Sequence, residues 1–286
     1  MNDHFDKYSV FIVSHIVYYL FRYGFNSGSG MEISNADSAT VASLCTVTTT
    51  LASAAGGLSA LYFDAFIEYY KNDELSYDIT MALNGCLSGL VAITAGCAVV
   101  TPWASIIIGF VAGILFYVVQ NLLIKMRIDD VVCAVPVHMA NGIWGLLAVG
   151  FFAEPDLLKL AGYNASHYGL LYKGGDGARL AAQLVAIIWI TVFASFCALA
   201  CFSILKEYDM FRVHPDVELS GLDIFQLGGL AYDIGGNHEG GEYHNDEMDG
   251  TSDVTPEDVA AASPEEVDVP VEVEKAEEKE DEAEES

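Results

Sequence analysis

His138 is the residue whose type and position most call for a chemical explanation. It lies in DDVVCAVPVHMANGIWG, residues 129–145, a mostly apolar or small stretch that runs on into LLAVGFFA. Together they are long enough to cross a bilayer. A neutral imidazole has one donor and one acceptor, and both are costly to leave unpaired in a dry interior. Two readings stand on position alone. The ring is satisfied by the backbone of a neighbouring helix, or it serves a polar pathway, where ionisable residues inside membranes usually lie. Other groups offer less. KGGDGAR, residues 173–179, is Gly-rich but lacks the Gly-Lys-Ser/Thr ending of a phosphate loop. Six cysteines fall within apolar segments without a C-x-x-C, which suits buried thiols better than metal or redox work. No serine elbow, no H-E-x-x-H and no paired aspartates inside an apolar span support an intramembrane enzyme. No cofactor motif is present. Asp129 and Asp130 read most simply as helix N-terminal caps.

The elements that must position His138 follow from composition. The chain has 286 residues, is 53% hydrophobic, and yet carries a formal charge of −28. Such a mixture points to an oily part and an acidic part. From His238 to Ser286 there are twenty Asp and Glu against two Lys, and no Trp or Phe. That tail, residues 238–286, cannot bury enough apolar surface to offset chain entropy and is expected to be disordered. Its negative charge repels nucleic acid phosphates, so a nucleic acid partner has no support.

The remainder holds six apolar segments near residues 8–25, 38–63, 80–99, 103–124, 131–153 and 180–205. Each supplies roughly the twenty residues a spanning helix needs, and none alternates like a barrel strand. The expected class is an all-α polytopic membrane protein. Its transmembrane domain covers residues 1–205, followed by a cytoplasmic region over 206–237. The first segment reads as a retained helix: its leader, MNDHFDK, has one Lys among two Asp, unlike a signal peptide. Small residues, as in TVTTTLASAAGGLSA and the Gly-x-x-x-Gly of residues 109–113, suit close packing in lipid. With both termini cytoplasmic, the inner side holds Lys7, Lys71, Lys125, Arg127, Lys206 and Arg212, and the outer side Lys159, Lys173 and Arg179. The positive-inside bias supports that orientation. It places the loop 154–179, with the sequon Asn164-Ala165-Ser166, outside.

RIDDVVCAVPVHMANGIWGLLAVGFFAEP resembles the ammonium transporter and Rhesus family, in its ammonium transporter branch. The resemblance rests on Asp129, Asp130, Val137, His138, Gly142, Ile143, Trp144 and Gly145. Three other blocks follow the family in order: RYGFNSGSG at 22–30, NGCLSGLVAITAGCAVVTPWASIIIGFVAG, and GLDIFQLGGLAYD. Together they cover about residues 15–235. Family members normally have eleven helices, and this chain resembles only the later six. Three departures stand out. Met139 replaces a usual Gly, and Leu227 stands where the tail's His is expected. Arg22-Tyr23 occupies a position where Gly and Trp commonly precede Gly-Phe-Asn.

The resemblance implies a narrow apolar pore carrying ammonium or ammonia, with two histidines at its centre. Aromatic faces and a hydroxyl at an outer site would partly replace the cation's water. By position, His138 matches the second pore histidine, Phe25 one of two stacked gating phenylalanines, and Ser29 the hydroxyl of the outer site. Phe25 as plain helix packing and Ser29 as a turn residue remain open beside those roles. His15 reads as packed or interfacial. The first histidine, the partner phenylalanine and a tryptophan would come from the five earlier helices, so this chain is not expected to conduct as a monomer. The resemblance also implies a homo-oligomer, a trimer, in the plasma membrane. The alternative function is a non-conducting ammonium sensor or regulatory membrane protein.

Overall fold

Asn35, Asp78, Thr101-Pro102 and Glu154 mark where the helices begin. In the computed structural model, which describes residues 3–73 and 75–213 and side chains from residue 12 onward, those residues sit at helix N-termini. The chain runs α1 (Asp3–Gly28), α2 (Ala36–Asn72), α3 (Ile79–Thr94), α4 (Pro102–Lys125), α5 (Val135–Phe152), α6 (Pro155–Leu160) and α7 (Ala178–Glu207). Among the described residues there is no strand. The Asn35 side chain accepts from the Ser38 N–H at 2.8 Å. Asp78 accepts from the Thr80 N–H at 2.7 Å and the Thr80 hydroxyl at 2.6 Å. Glu154 caps α6 through the Leu157 N–H at 2.7 Å. Each acceptor satisfies a donor that the first turn of a helix leaves free. Pro102 begins α4, where its missing N–H costs nothing.

All six apolar segments are helices. Among the described residues four are long and apolar enough to cross a membrane: α2, α4, α5 and α7. α3 is shorter, with 16 residues. The third segment was expected to run to residue 99, but the helix ends at Thr94. Residues 95–100 turn instead, with Gly96 donating to the Ile93 carbonyl and Val99 to Gly96. α2 overshoots its apolar segment. Its 37 residues end at Asn72, and the capping residue Asp73 adopts φ 57° and donates its N–H to the Tyr69 carbonyl. The expected cytoplasmic region beyond residue 213, Leu227 and the acidic tail lie outside the described residues.

The core is built from small residues, because only they let three helices approach closely in lipid. A Cβ added at Gly56 would stand 2.5 Å from the Gly85 carbonyl oxygen, and one at Gly89 would stand 2.3 Å from that of Ala52. α2 therefore packs backbone to backbone on α3. The Gly-x-x-x-Gly of α4 closes on the same part of α2: Gly109 lies against Ala52, and Gly113 against Gly56 and Ser59. Around these contacts are the fully buried Leu90, Ile93, Ile108 and Phe116. Buried hydroxyls find carbonyls on neighbouring segments, Thr48 that of Cys97 at 2.9 Å and Ser53 that of Cys86 at 3.1 Å.

α1 and α7 flank this core differently. α1 leans on α2 and α3. A polar seam holds it to α2: Tyr23 to Thr50 at 2.6 Å, Asn26 to Thr49 at 2.9 Å and Ser27 to Thr46 at 2.8 Å. Among the described residues α7 touches no helix but α5 and buries none of its residues. Cys197 and Cys201 on α7 are thus exposed, contrary to the expectation of buried thiols, whereas Cys45 and Cys97 are buried.

Candidate functional site

Phe25 lies in the last turn of α1 and Ser29 just beyond its end, with the Ser29 N–H donating to the Phe25 carbonyl at 3.0 Å. The Ser29 hydroxyl donates to the Phe25 carbonyl at 2.5 Å. That bond uses its proton and leaves the oxygen's lone pairs free, which is the polarity an N–H cation needs from a ligand. Both side chains are exposed, Phe25 at 57%. Ser29 also lines a cavity of about 410 Å³ that reaches Asn26, Glu32, Cys45, Thr94 and Arg179. Asn26 is buried there, and its Oδ1 has no partner among the described residues.

His138 sits on a stretch of wider helix that its hydropathy does not signal. Residues Val135–Ala140 wind as a π-helix before α5 continues as an α-helix from Asn141. Such wide turns are rare and occur often at functional positions. Three groups hold this one. Asp130 accepts from the Ala134 and Val135 N–H groups, both at 2.8 Å. Pro136 has no N–H to place. The Asn141 amide donates to the Pro136 carbonyl, five residues back, at 2.8 Å. Asn141 is fully buried, and its Oδ1 has no partner among the described residues. Of the two expected caps, Asp130 alone performs the task; Asp129 is exposed and caps nothing. The His138 side chain is exposed. No hydrogen bond reaches its ring among the described residues.

The elements carrying these residues do not touch each other. α1 and the π-helical turn both lean on α3, which lies between them. Arg22 links the two sides. Its guanidinium is 5.6 Å from the centre of the Phe25 ring and 5.2 Å from that of Tyr18. It donates to the Tyr18 hydroxyl at 2.6 and 3.1 Å and to the Thr94 hydroxyl of α3 at 3.3 Å. It also lies within electrostatic reach of His138. Sequence reasoning passed over Arg22 except as a departure from the family pattern. The signal was available: an arginine inside an apolar segment is costly and demands a reason.

The remaining candidates are packing groups. His15 shares a small apolar pocket with Tyr19, Leu83, Cys86 and Leu87. The Trp144 indole donates to the Ile108 carbonyl at 3.0 Å, tying α5 to α4. The Gly-rich 173–179 stretch folds locally, with Tyr168 donating to the Lys173 carbonyl at 2.9 Å. Among the described residues no group of three or more His, Cys, Asp or Glu side chains could hold a metal ion.

A bundle of long apolar helices packed on glycines, with a histidine on a π-turn opposite an aromatic and hydroxyl pair, defines a polytopic helical membrane protein. The profile of the Ammonium Transporter Family matches residues 11–232, and the chain belongs to that family. It is 38% identical over 210 residues to the ammonium transporter Amt2 of Archaeoglobus fulgidus, covering 73% of this chain and 42% of that protein. Among solved structures it is similar to one described as a sensor Amt protein. That likeness has a TM-score of 0.62 and 27% identity, and covers 75% of this chain and 48% of the other. It is also similar to Mep2 of Candida albicans, with a TM-score of 0.58 and 25% identity over 73% of this chain and 43% of that one. The chain spans less than half the length of these relatives.

Proposed function

We propose that this chain forms one side of a membrane path for ammonium or ammonia, with His138, Phe25 and Ser29 facing the substrate. One observation carries the reading. A polar ring on an otherwise apolar helix is carried by a built turn, yet makes no hydrogen bond among the described residues. Exposed to lipid, such a ring would be costly. Facing a second wall, it would offer a donor and an acceptor to a small nitrogen species. Phe25 and Ser29, on the opposite element, offer a π face and a lone pair. The second wall is a further part of the same protein or another chain; this chain alone is not expected to conduct. Transport rather than covalent chemistry, multi-pass insertion in the plasma membrane with cytoplasmic termini, and assembly as a trimer belong to the same proposal. So does a domain order of a membrane part over 1–205, a cytoplasmic region over 206–237 and a tail over 238–286.

The test is uptake of ammonium and methylammonium by cells lacking their own ammonium uptake, with the protein expressed alongside whatever completes its path. His138→Ala should abolish or alter uptake and leave the melting temperature in detergent nearly unchanged. Wild-type uptake with a clearly lowered melting temperature would make His138 a packing residue and end the proposal. A second reading, a non-conducting sensor, draws support from Arg22, whose charge occupies the face of Phe25.

A further inference from the structure

Arg22 lies inside the apolar stretch of α1, and its surroundings are those of a cation in a binding site. Two aromatic rings lie within 5.6 Å of its carbon, and two hydroxyl oxygens accept its N–H groups. Neither ion pair found among the described residues involves it. An ammonium ion would seek the same partners, π faces and oxygen lone pairs. We propose that Arg22 is a tethered cation that occupies the aromatic face of Phe25 and excludes the ammonium ion from the path, so that only neutral ammonia passes this point. The inference rests on the proposed conduction path and adds which species it admits.

The physical case has two parts. On the side where the guanidinium lies, the ring is already covered, and no second cation fits there. On the far side an ammonium ion would stand roughly 10 Å from the guanidinium. At an effective dielectric near 20, repulsion between like charges at that distance lowers occupancy by roughly tenfold. Neutral ammonia meets no such repulsion. It would leave its proton in the outer water and cross as a neutral molecule. The Arg22 side chain is anchored from two helices, by Tyr18 on α1 and Thr94 on α3, so it does not simply swing out of the way.

The experiment uses the protein in its native assembly, with Arg22→Gln, Arg22→Met and Arg22→Lys introduced in its gene, purified and reconstituted in liposomes. Two readouts are taken after an ammonium chloride pulse: charge movement on a supported membrane, and internal alkalinisation reported by a pH dye. Wild type and Arg22→Lys should alkalinise the lumen with little current. Arg22→Gln and Arg22→Met, compared as monodisperse protein, should gain an ammonium current of roughly tenfold or more. A wild-type current matching that of Arg22→Gln overturns the inference and leaves the transport reading standing. Alkalinisation with no current in either neutral variant also overturns it. No response of either kind in any of the four proteins overturns the transport reading, and the inference with it.

Discussion

Substituting Gly109 by Ala should be among the most damaging single-methyl changes available in this chain. A Cβ there would stand 2.0 Å from the Ala52 carbonyl oxygen and 2.7 Å from both its carbonyl carbon and Cα. These are backbone atoms of α2 and cannot rotate aside. To restore ordinary contact near 3.4 Å, α4 must withdraw by roughly 1.4 Å. A gap of ~0.5–1 Å already forfeits a quarter to a half of each dispersion contact along an interface. The interface at risk includes Ala52, Ile108, Ala112 and Phe116, all fully buried or nearly so. Overpacking of this kind costs about 1–3 kcal/mol, and an immovable partner argues for the upper end. Alanine returns about 1 kcal/mol of helix propensity. The net loss is about 2 kcal/mol, or roughly 4–8 °C in melting temperature for a domain this size. Gly24→Ala is the matched control. Nothing lies within 4 Å of its added Cβ, so it should keep or slightly raise stability. Heating in detergent followed by fluorescence-detected gel filtration measures both. Melting of Gly109→Ala within a degree or two of Gly24→Ala would refute the close α2–α4 contact.

Asp130→Ala should cost about 1–2 kcal/mol by freeing two N–H groups at the start of the π-turn, whereas Asp129→Ala should be nearly neutral; detergent melting curves decide. Asn164 is exposed, its Oδ1 accepts from the Ser166 N–H at 2.8 Å, and expression in a eukaryotic host should yield a gel shift that an N-glycanase reverses. Access of an antibody to that loop only after permeabilisation would contradict its outer placement. The Ala178 N–H and then the His167 ring, 2.6 Å away, hold the Asp176 carboxyl below its usual range. Their stabilising effect is therefore present above the ordinary carboxylate value near 3.8 and lost as pH falls through the lowered one. Protection of residues 164–179 from an acid-active protease should fall in that window, and Asp176→Asn should remove the pH dependence.

Much of the bundle was legible because hydropathy counts residues well. All six apolar segments are helices, and the Gly-x-x-x-Gly of α4 lies where close packing demands it. Helix ends were less legible. Val99 and Val100 read as apolar whether they continue a helix or fill a buried turn, and here they turn, with the Val99 carbonyl accepting from Glu154 at 2.8 Å. α2 continues past residue 63 because DAFIEYYKN can stay helical without being apolar enough to count as membrane. α6 had a readable start, a Glu followed by Pro, and was missed because its six residues carry no periodic signal. At the site, residue types were legible and their arrangement was not. The π-turn depends on Asp130, Pro136 and Asn141 acting together, and Arg22 meets Thr94 across 72 residues of chain. No local pattern encodes either.

Asn141 and His138 are three residues apart on the same element, and both are polar groups in an apolar span. The structure separates them, and a paired substitution tests the separation. Asn141 is fully buried and its side-chain amide bonds the Pro136 carbonyl. Asn141→Leu removes that hydrogen bond and forces a larger side chain into a closed site, at a cost of about 1–3 kcal/mol. His138 is exposed and holds no partner among the described residues, so His138→Ala strands nothing in this chain. The expected result is an asymmetry: a lowered melting temperature for Asn141→Leu and an almost unchanged one for His138→Ala. Equal losses would mean that His138 supports the fold through a partner on the second wall. Its imidazole would then be explained by packing, without appeal to a substrate. With the asymmetry observed, folding of this chain gives no reason for a histidine at this position, and the reason must lie in what the ring meets across the path.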